Sequence, residues 1–109
     1  MHGLLIVSYF FGGAFLANAI PHSVSGLMGK PFQSPFAKPP GKGLSSATVN
    51  VLWGFFNLVI SYLLVCEVGD FELKRATDII AFGAGFLLLA VMLARHFGRL
   101  NGKNLSERQ

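Results

Sequence analysis

The sequence predicts an all-α integral membrane protein: three transmembrane helices with a long, ordered Pro/Gly-rich loop between the first and second. Three observations carry this expectation. First, three stretches lack charged side chains: Gly3 to Ser25 and beyond, Gly43 to Cys66, and Ile79 to Ala94. Each approaches the roughly 17–25 residues that a helix needs to cross a bilayer. Second, hydrophobic residues make up 52% of the 109-residue chain and charged residues only 13%, about half the charged fraction usual in soluble domains. A soluble fold of this length buries a single core, and so few charges would not cover the surface left outside it. Third, the polar residues inside the second uncharged stretch recur at helical spacing.

The first span is predicted over 3–20. Ala17-Asn18-Ala19 resembles a signal-peptide cleavage site, but no Lys or Arg precedes the apolar run, so the segment reads as a retained helix. Pro21 disfavours helical geometry at the residue before it, so the helix is expected to end or kink there. Gly13 and Ala17 form a small-xxx-small pair suited to close helix packing. Asn18 and His22 are four apart and share a face if the helix tolerates Pro21.

The loop, 21–46, holds all five prolines together with Gly26, Gly29, Gly41 and Gly43. Proline fixes φ and glycine permits positive φ, so the segment should bend at defined places. It also contains Leu27, Met28, Phe32 and Phe36, which a solvated linker would avoid. The expectation is a loop folded back onto the cytoplasmic membrane surface, or shallowly re-entrant, with Phe32 and Phe36 as anchors. Its glycines lack the spacing of a phosphate-binding loop.

The second span is predicted over 47–68, with Ser45, Ser46 and Thr48 as candidate caps. Asn50, Gly54, Asn57 and Ser61 fall at i, i+4, i+7 and i+11, which keeps them on one face. Leu52, Phe55, Phe56, Val59 and Leu63 take the opposite surface. Two asparagines without partners in hydrocarbon are costly, so they should meet other helices or a polar cavity. The candidate ligand-binding residues, or polar seam, are therefore Asn18, His22, Asn50, Trp53, Asn57 and Ser61. Trp53 is placed near the membrane interface, where tryptophan is enriched. Cys66, the single cysteine, excludes an internal disulfide and reads as a buried thiol.

The third span is predicted over 78–97, with Thr77 and Asp78 as start signals and Gly98 as a stop signal. Arg95 lengthens it by snorkelling. Ala81-xxx-Gly85 and Ala90-xxx-Ala94 allow close approach of another backbone. The chain thus divides into one transmembrane domain, 1–98, and a polar tail, 99–109.

Charge sets the expected orientation. The first loop carries Lys30, Lys38 and Lys42, and the C-terminal side carries Arg95, Arg99, Lys103 and Arg108, against Lys74 and Arg75 in the second loop. Positive charge stays in the cytoplasm, so the N-terminus should face out and the C-terminus in, as in a bacterial inner membrane.

Several function classes fit poorly. The basic residues are spread along loops and tail with no reading motif, so no nucleic-acid partner is expected. No ionisable carboxylate or amine lies mid-span for a proton relay, and no carboxylate lies beside His22 to complete a hydrolase triad. His22 and His96 lack a third ligand, so neither metal nor haem is expected, and no cofactor. The expected function is that of a small, non-enzymatic inner-membrane protein, an interaction or accessory subunit acting through helix–helix packing. Its partners would be membrane lipids and either copies of itself or a larger membrane complex. Two alternatives are a homo-oligomeric channel or carrier for a small neutral or weakly polar solute, and a membrane enzyme acting on a lipid or quinone headgroup.

Overall fold

The computed structural model describes the backbone of residues 2–108 and the side chains of residues 3–102. The chain is mostly helical, and three of its helical segments, Gly3–Leu27, Ala47–Val68 and Ala76–Gly102, are long and apolar enough to cross a membrane. The elements in order are α1 (His2–Leu27), β1 (Phe32–Gln33), β2 (Leu44–Ser45), α2 (Ala47–Tyr62) continued by a π-helical segment (Leu63–Val68), and α3 (Ala76–Arg108). The side chains of Lys103 and Arg108, part of the charge asymmetry, lie outside the described side chains.

α1 is the central helix. It packs along both α2 and α3, which scarcely meet each other. Small residues permit this. A Cβ on Gly13 would strike the Phe82 carbonyl of α3, and one on Gly85 would strike the Phe10 carbonyl of α1. Toward α2, a Cβ on Gly12 would meet the Val65 side chain, and one on Gly26 would come within 2.6 Å of the Ala47 carbonyl oxygen. Gly54 of α2 lies against Ser23 and the Ala19 carbonyl. Backbones this close gain dispersion and permit interhelical hydrogen bonds.

The structure departs from the sequence expectation at several boundaries. α1 does not end at Ile20. It runs through Pro21, which lacks only the N–H that would bond the Ala17 carbonyl, and continues to Leu27 because α2 holds its last turns. It is closed just past Leu27 by Gly29, whose φ is +74°. Gly29 N–H donates to the Gly26 carbonyl at 3.0 Å and Lys30 N–H to the Ser25 carbonyl at 2.9 Å, the paired bonds of a Schellman cap. Nor is the fold wholly helical: Phe32 pairs with Ser45 and Gln33 with Leu44 in a short antiparallel ladder. Ser46 caps α2, its side chain accepting from Val49 N–H. Gly98 does not stop α3, which begins at Ala76 and continues to Arg108. Glycine in a helix costs only about 1 kcal/mol, and the loop packs against this part of α3. Cys66, on the π-helical segment, is exposed rather than buried.

Away from the loop, the ends of the helices meet around Tyr9, which is 1% exposed. Its hydroxyl accepts from Asp70 N–H at 2.9 Å, its ring meets Phe71 edge-on, and Gly69 leaves room for it. Buried Asp78 accepts from Glu72 N–H and from Arg75 Nη1, at 3.1 and 2.9 Å. Burial alone would lower the Arg75 pKa, but the carboxylates of Asp78 and Glu72 outweigh it and hold the guanidinium above its ordinary value.

Gly85→Ala is expected to destabilise the protein by about 1–3 kcal/mol, because the methyl must displace a backbone carbonyl. Gly83→Ala, where a Cβ meets nothing within 4 Å, should leave stability unchanged or raise it by up to about 1 kcal/mol. Unfolding in detergent followed by circular dichroism distinguishes the two. Equal effects would refute the close α1–α3 contact.

Candidate functional site

The buried residues of α2 are Asn50, Gly54, Asn57 and Ser61, the four that its spacing puts on one face. They face α1 and form a ladder of crosslinks that runs antiparallel along the two helices. His22 Nδ1 meets Asn50 Oδ1 at 2.7 Å. Asn18 Nδ2 donates to Asn57 Oδ1 at 3.0 Å. Ser61 Oγ donates to the Gly12 carbonyl at 2.7 Å, and Ser8 Oγ donates to the Leu64 carbonyl. The last bond satisfies a carbonyl in the π-helical segment, where the regular helical pattern has lapsed.

Asn50, with no exposed surface, ties three elements together. Its Nδ2 donates to the carbonyls of Phe32, Ser45 and Ser46, at 3.1, 3.2 and 3.0 Å. Three acceptors around one amide atom identify it as the nitrogen, so the atom facing His22 is the oxygen. An oxygen at 2.7 Å requires a proton on Nδ1. The neutral imidazole is therefore the Nδ1–H tautomer, with a lone pair on Nε2. Asn57, also fully buried, bonds within its own helix as well: its Nδ2 donates to the Trp53 carbonyl at 2.7 Å.

Aromatic rings close around His22, which is 2% exposed. Phe32, Trp53 and Phe97 present their rings at centroid distances of 5.4, 6.3 and 6.1 Å, all roughly perpendicular to the imidazole. Phe32 also packs on Phe97 at 4.6 Å. Trp53 stacks on Phe56 and meets Phe36 edge-on at 5.1 Å. Phe36 itself stays 63% exposed. Trp53 Nε1 is buried without a hydrogen-bond partner among the described residues.

The loop is fastened from both sides. Ser34 and Ser45 share a hydroxyl–hydroxyl bond, and Ser34 Oγ accepts from Phe36 N–H. Gln33 Nε2 donates to Asn101 Oδ1 of α3 at 3.0 Å, and the His96 ring donates to the Gly41 carbonyl from Nε2 at 2.8 Å.

The structure thus brings Asn18, His22, Asn50, Asn57 and Ser61 into one seam, with Trp53 and Phe32 around His22 and Phe36 outside against Trp53. Sequence reasoning missed Ser8, Phe97, Gln33, Asn101 and the role of His96. Ser8 had a legible signal: it lies fourteen residues before His22, about four helical turns, and so on the same face. The others depend on the path of the loop over α3.

Chemically, the seam offers one ionisable group, His22, and an amide rather than a carboxylate orients it. The nearest features to an open site are the His22 Nε2, which bonds to no described side chain, and the buried Trp53 indole N–H, which has no partner among the described residues. Among the described residues, no three His, Cys, Asp or Glu side chains gather closely enough to hold a metal ion. The fold and seam together define a mostly helical chain with three membrane-length apolar helices, two of them joined by buried polar bonds. No protein-family model, curated protein or solved structure matches this chain.

Asn57→Leu removes the partner of the half-buried Asn18 amide and should destabilise the protein by about 1–3 kcal/mol. Asn50→Leu should cost more, because it frees His22 and two loop carbonyls at once, and should also expose 30–42 to protease. Phe56→Leu, on the outward face, should stay within about 0.5 kcal/mol of the parent. Equal tolerance at the three positions, measured by unfolding and limited proteolysis, would remove the seam.

Proposed function

We propose that the chain is a non-enzymatic membrane subunit, inserted in a bacterial-type inner membrane, that acts by offering its outer helix faces to another membrane protein or to copies of itself. The observation that carries this reading is the closed polar seam. Asn50 and Asn57 are both 0% exposed and Ser61 is 5% exposed, and each bonds to a neighbouring helix or loop. A solute path along these residues would need their donors and acceptors free, so the seam supports a structural rather than a transport role. The surfaces that remain are apolar. Leu52, Phe55 and Phe56 of α2 and Leu87, Leu88 and Met92 of α3 are all more than half exposed. Such faces suit lipid or a partner helix.

The proposed orientation is N-terminus out and C-terminus in. Lys30, Lys38 and Lys42 lie in a loop that packs on α3 near Arg95 and Arg99, so the basic residues gather at one end. Glu67, Asp70, Glu72 and Asp78 lie at the other. The positive-inside rule then assigns the loop end to the cytoplasm.

One observation favours a second reading, a site for the hydroxyl of a lipid or quinone-type headgroup. The lone pair of His22 Nε2 would accept from such a group, and the buried Trp53 N–H has no acceptor among the described residues.

A cysteine at Asp70 should react with a membrane-impermeant label in intact cells, and a reporter fused after Gln109 should behave as cytoplasmic. Labelling only after the membrane is opened would reverse the orientation. Photo-crosslinkers at Phe55 and Leu87 should each trap one reproducible protein species in native membranes, while one at Asn57 should trap none. Vesicles carrying the protein should release small neutral solutes no faster than empty ones. Release that Asn57→Leu abolishes would overturn the subunit reading in favour of a channel.

A further inference from the structure

The loop end of the molecule carries two adjoining grooves of opposite character. One, about 360 Å³, runs between α1 and α3 and is walled by Ala17, Phe86, Ala90, Leu93 and Ala94, with the Phe32–Phe97 pair at its end. The other, about 370 Å³, is formed by Ala94, Arg95, Gly98 and Arg99. Ala94 lines both, so the basic groove joins the apolar one along α3.

Arg95 and Arg99 are four residues apart and so are neighbours on the helix surface. Both are exposed. Among the described residues, ion pairs form only around Arg75, at the opposite end of the molecule. A Cβ on Gly98 would meet nothing within 4 Å, which leaves the floor beside the guanidinium groups open. His96, also at this end, is bonded to the Gly41 carbonyl. From Ala94 to Phe86 the apolar groove follows α3 for about 12 Å, at about 1.5 Å per residue, toward the middle of the helix.

We propose that the two grooves form a binding site for one anionic phospholipid. Its phosphate sits between Arg95 and Arg99, and one acyl chain lies in the α1–α3 groove. Guanidinium forks match phosphate oxygens in geometry as well as charge. Ala17, Ala90 and Ala94 leave the width that a methylene chain occupies. The order of the parts is that of a lipid standing in its leaflet: charge at the helix end, apolar limb toward the bilayer centre. Free phosphate would use the arginines and leave the apolar groove unfilled. A zwitterionic lipid would bring a cation toward two arginines. Lys30, Lys38 and Lys42, all exposed, add general attraction to an anionic surface and do not adjoin the groove. The inference rests on the membrane placement proposed above.

The test uses the full chain, solubilised, stripped of lipid, and offered equimolar phosphatidylglycerol and phosphatidylcholine with identical acyl chains. Retained lipid is counted by native mass spectrometry, and insertion is read separately by flotation with vesicles of each lipid. The parent should retain phosphatidylglycerol over phosphatidylcholine by about tenfold or more. Arg95→Gln with Arg99→Gln should reduce that preference to about twofold or less. Both side chains are exposed, so the fold should persist, with circular dichroism as the check. Replacing Lys30, Lys38 and Lys42 by Gln should leave the preference intact. Ala90→Phe should fill the apolar limb and lower phosphatidylglycerol retention while both arginines remain. Equal retention of the two lipids, an equal loss in the lysine variant, or displacement of phosphatidylglycerol by millimolar inorganic phosphate would overturn the site. A chain that inserts into neither vesicle would overturn the membrane placement itself, and the site with it.

Discussion

A buried amide in an apolar surrounding must find hydrogen-bond partners, and Asn50 shows how much of this molecule follows from that requirement. Its oxygen accepts a hydrogen bond from His22 Nδ1–H, and its nitrogen donates to the carbonyls of Phe32, Ser45 and Ser46. One side chain thereby sets the register of α1 against α2, holds the two loop strands beside the helix ends, and selects the imidazole tautomer. In water each of these bonds would be worth little, because solvent competes for both partners. Where water is excluded, a missing partner costs more than a bond gained, so the contacts are mutually obligatory. The short β1–β2 ladder sits where two of its carbonyls meet Asn50, and the stretch between its strands is latched to α3 by Gln33 and His96.

The seam works only because the backbones are close. Gly54 admits Ser23 and the Ala19 carbonyl, Gly26 admits Ala47, and Gly12 admits Val65. On α1, Gly12, Ala19 and Gly26 recur every seven residues along the α2 side, while Gly13 and Ala17 serve α3. One helix therefore carries two narrow faces and can take a neighbour on each side. The larger apolar side chains are left on the outer faces.

The two ends of the molecule differ in chemistry. The loop end combines aromatic rings around an imidazole, exposed lysines and two arginines free of ion pairs among the described residues. The other end is pinned by Tyr9 and neutralised locally by the Asp78–Arg75–Glu72 group.

Three apolar stretches, a polar stripe at helical spacing and a charge bias were legible in the linear sequence, because each depends only on composition and on the helical period. The face shared by Asn50, Gly54, Asn57 and Ser61 could be read from spacing alone, as could the need for partners. The partners themselves could not. Pro21 argued for a helix end, yet α1 continues to Leu27, because tertiary contacts at His22 and Gly26 outweigh one lost hydrogen bond. Gly98 argued for a stop, yet α3 runs past it to Arg108, and the loop is latched onto that stretch at Asn101. Which rings surround His22, and that Phe97 of a distant helix is among them, depends on how a loop rich in proline crosses two helices. No local periodicity encodes that path. Short-range preferences decided which segments became helices, and the satisfaction of buried polar groups across the interfaces decided where those helices end and what they touch.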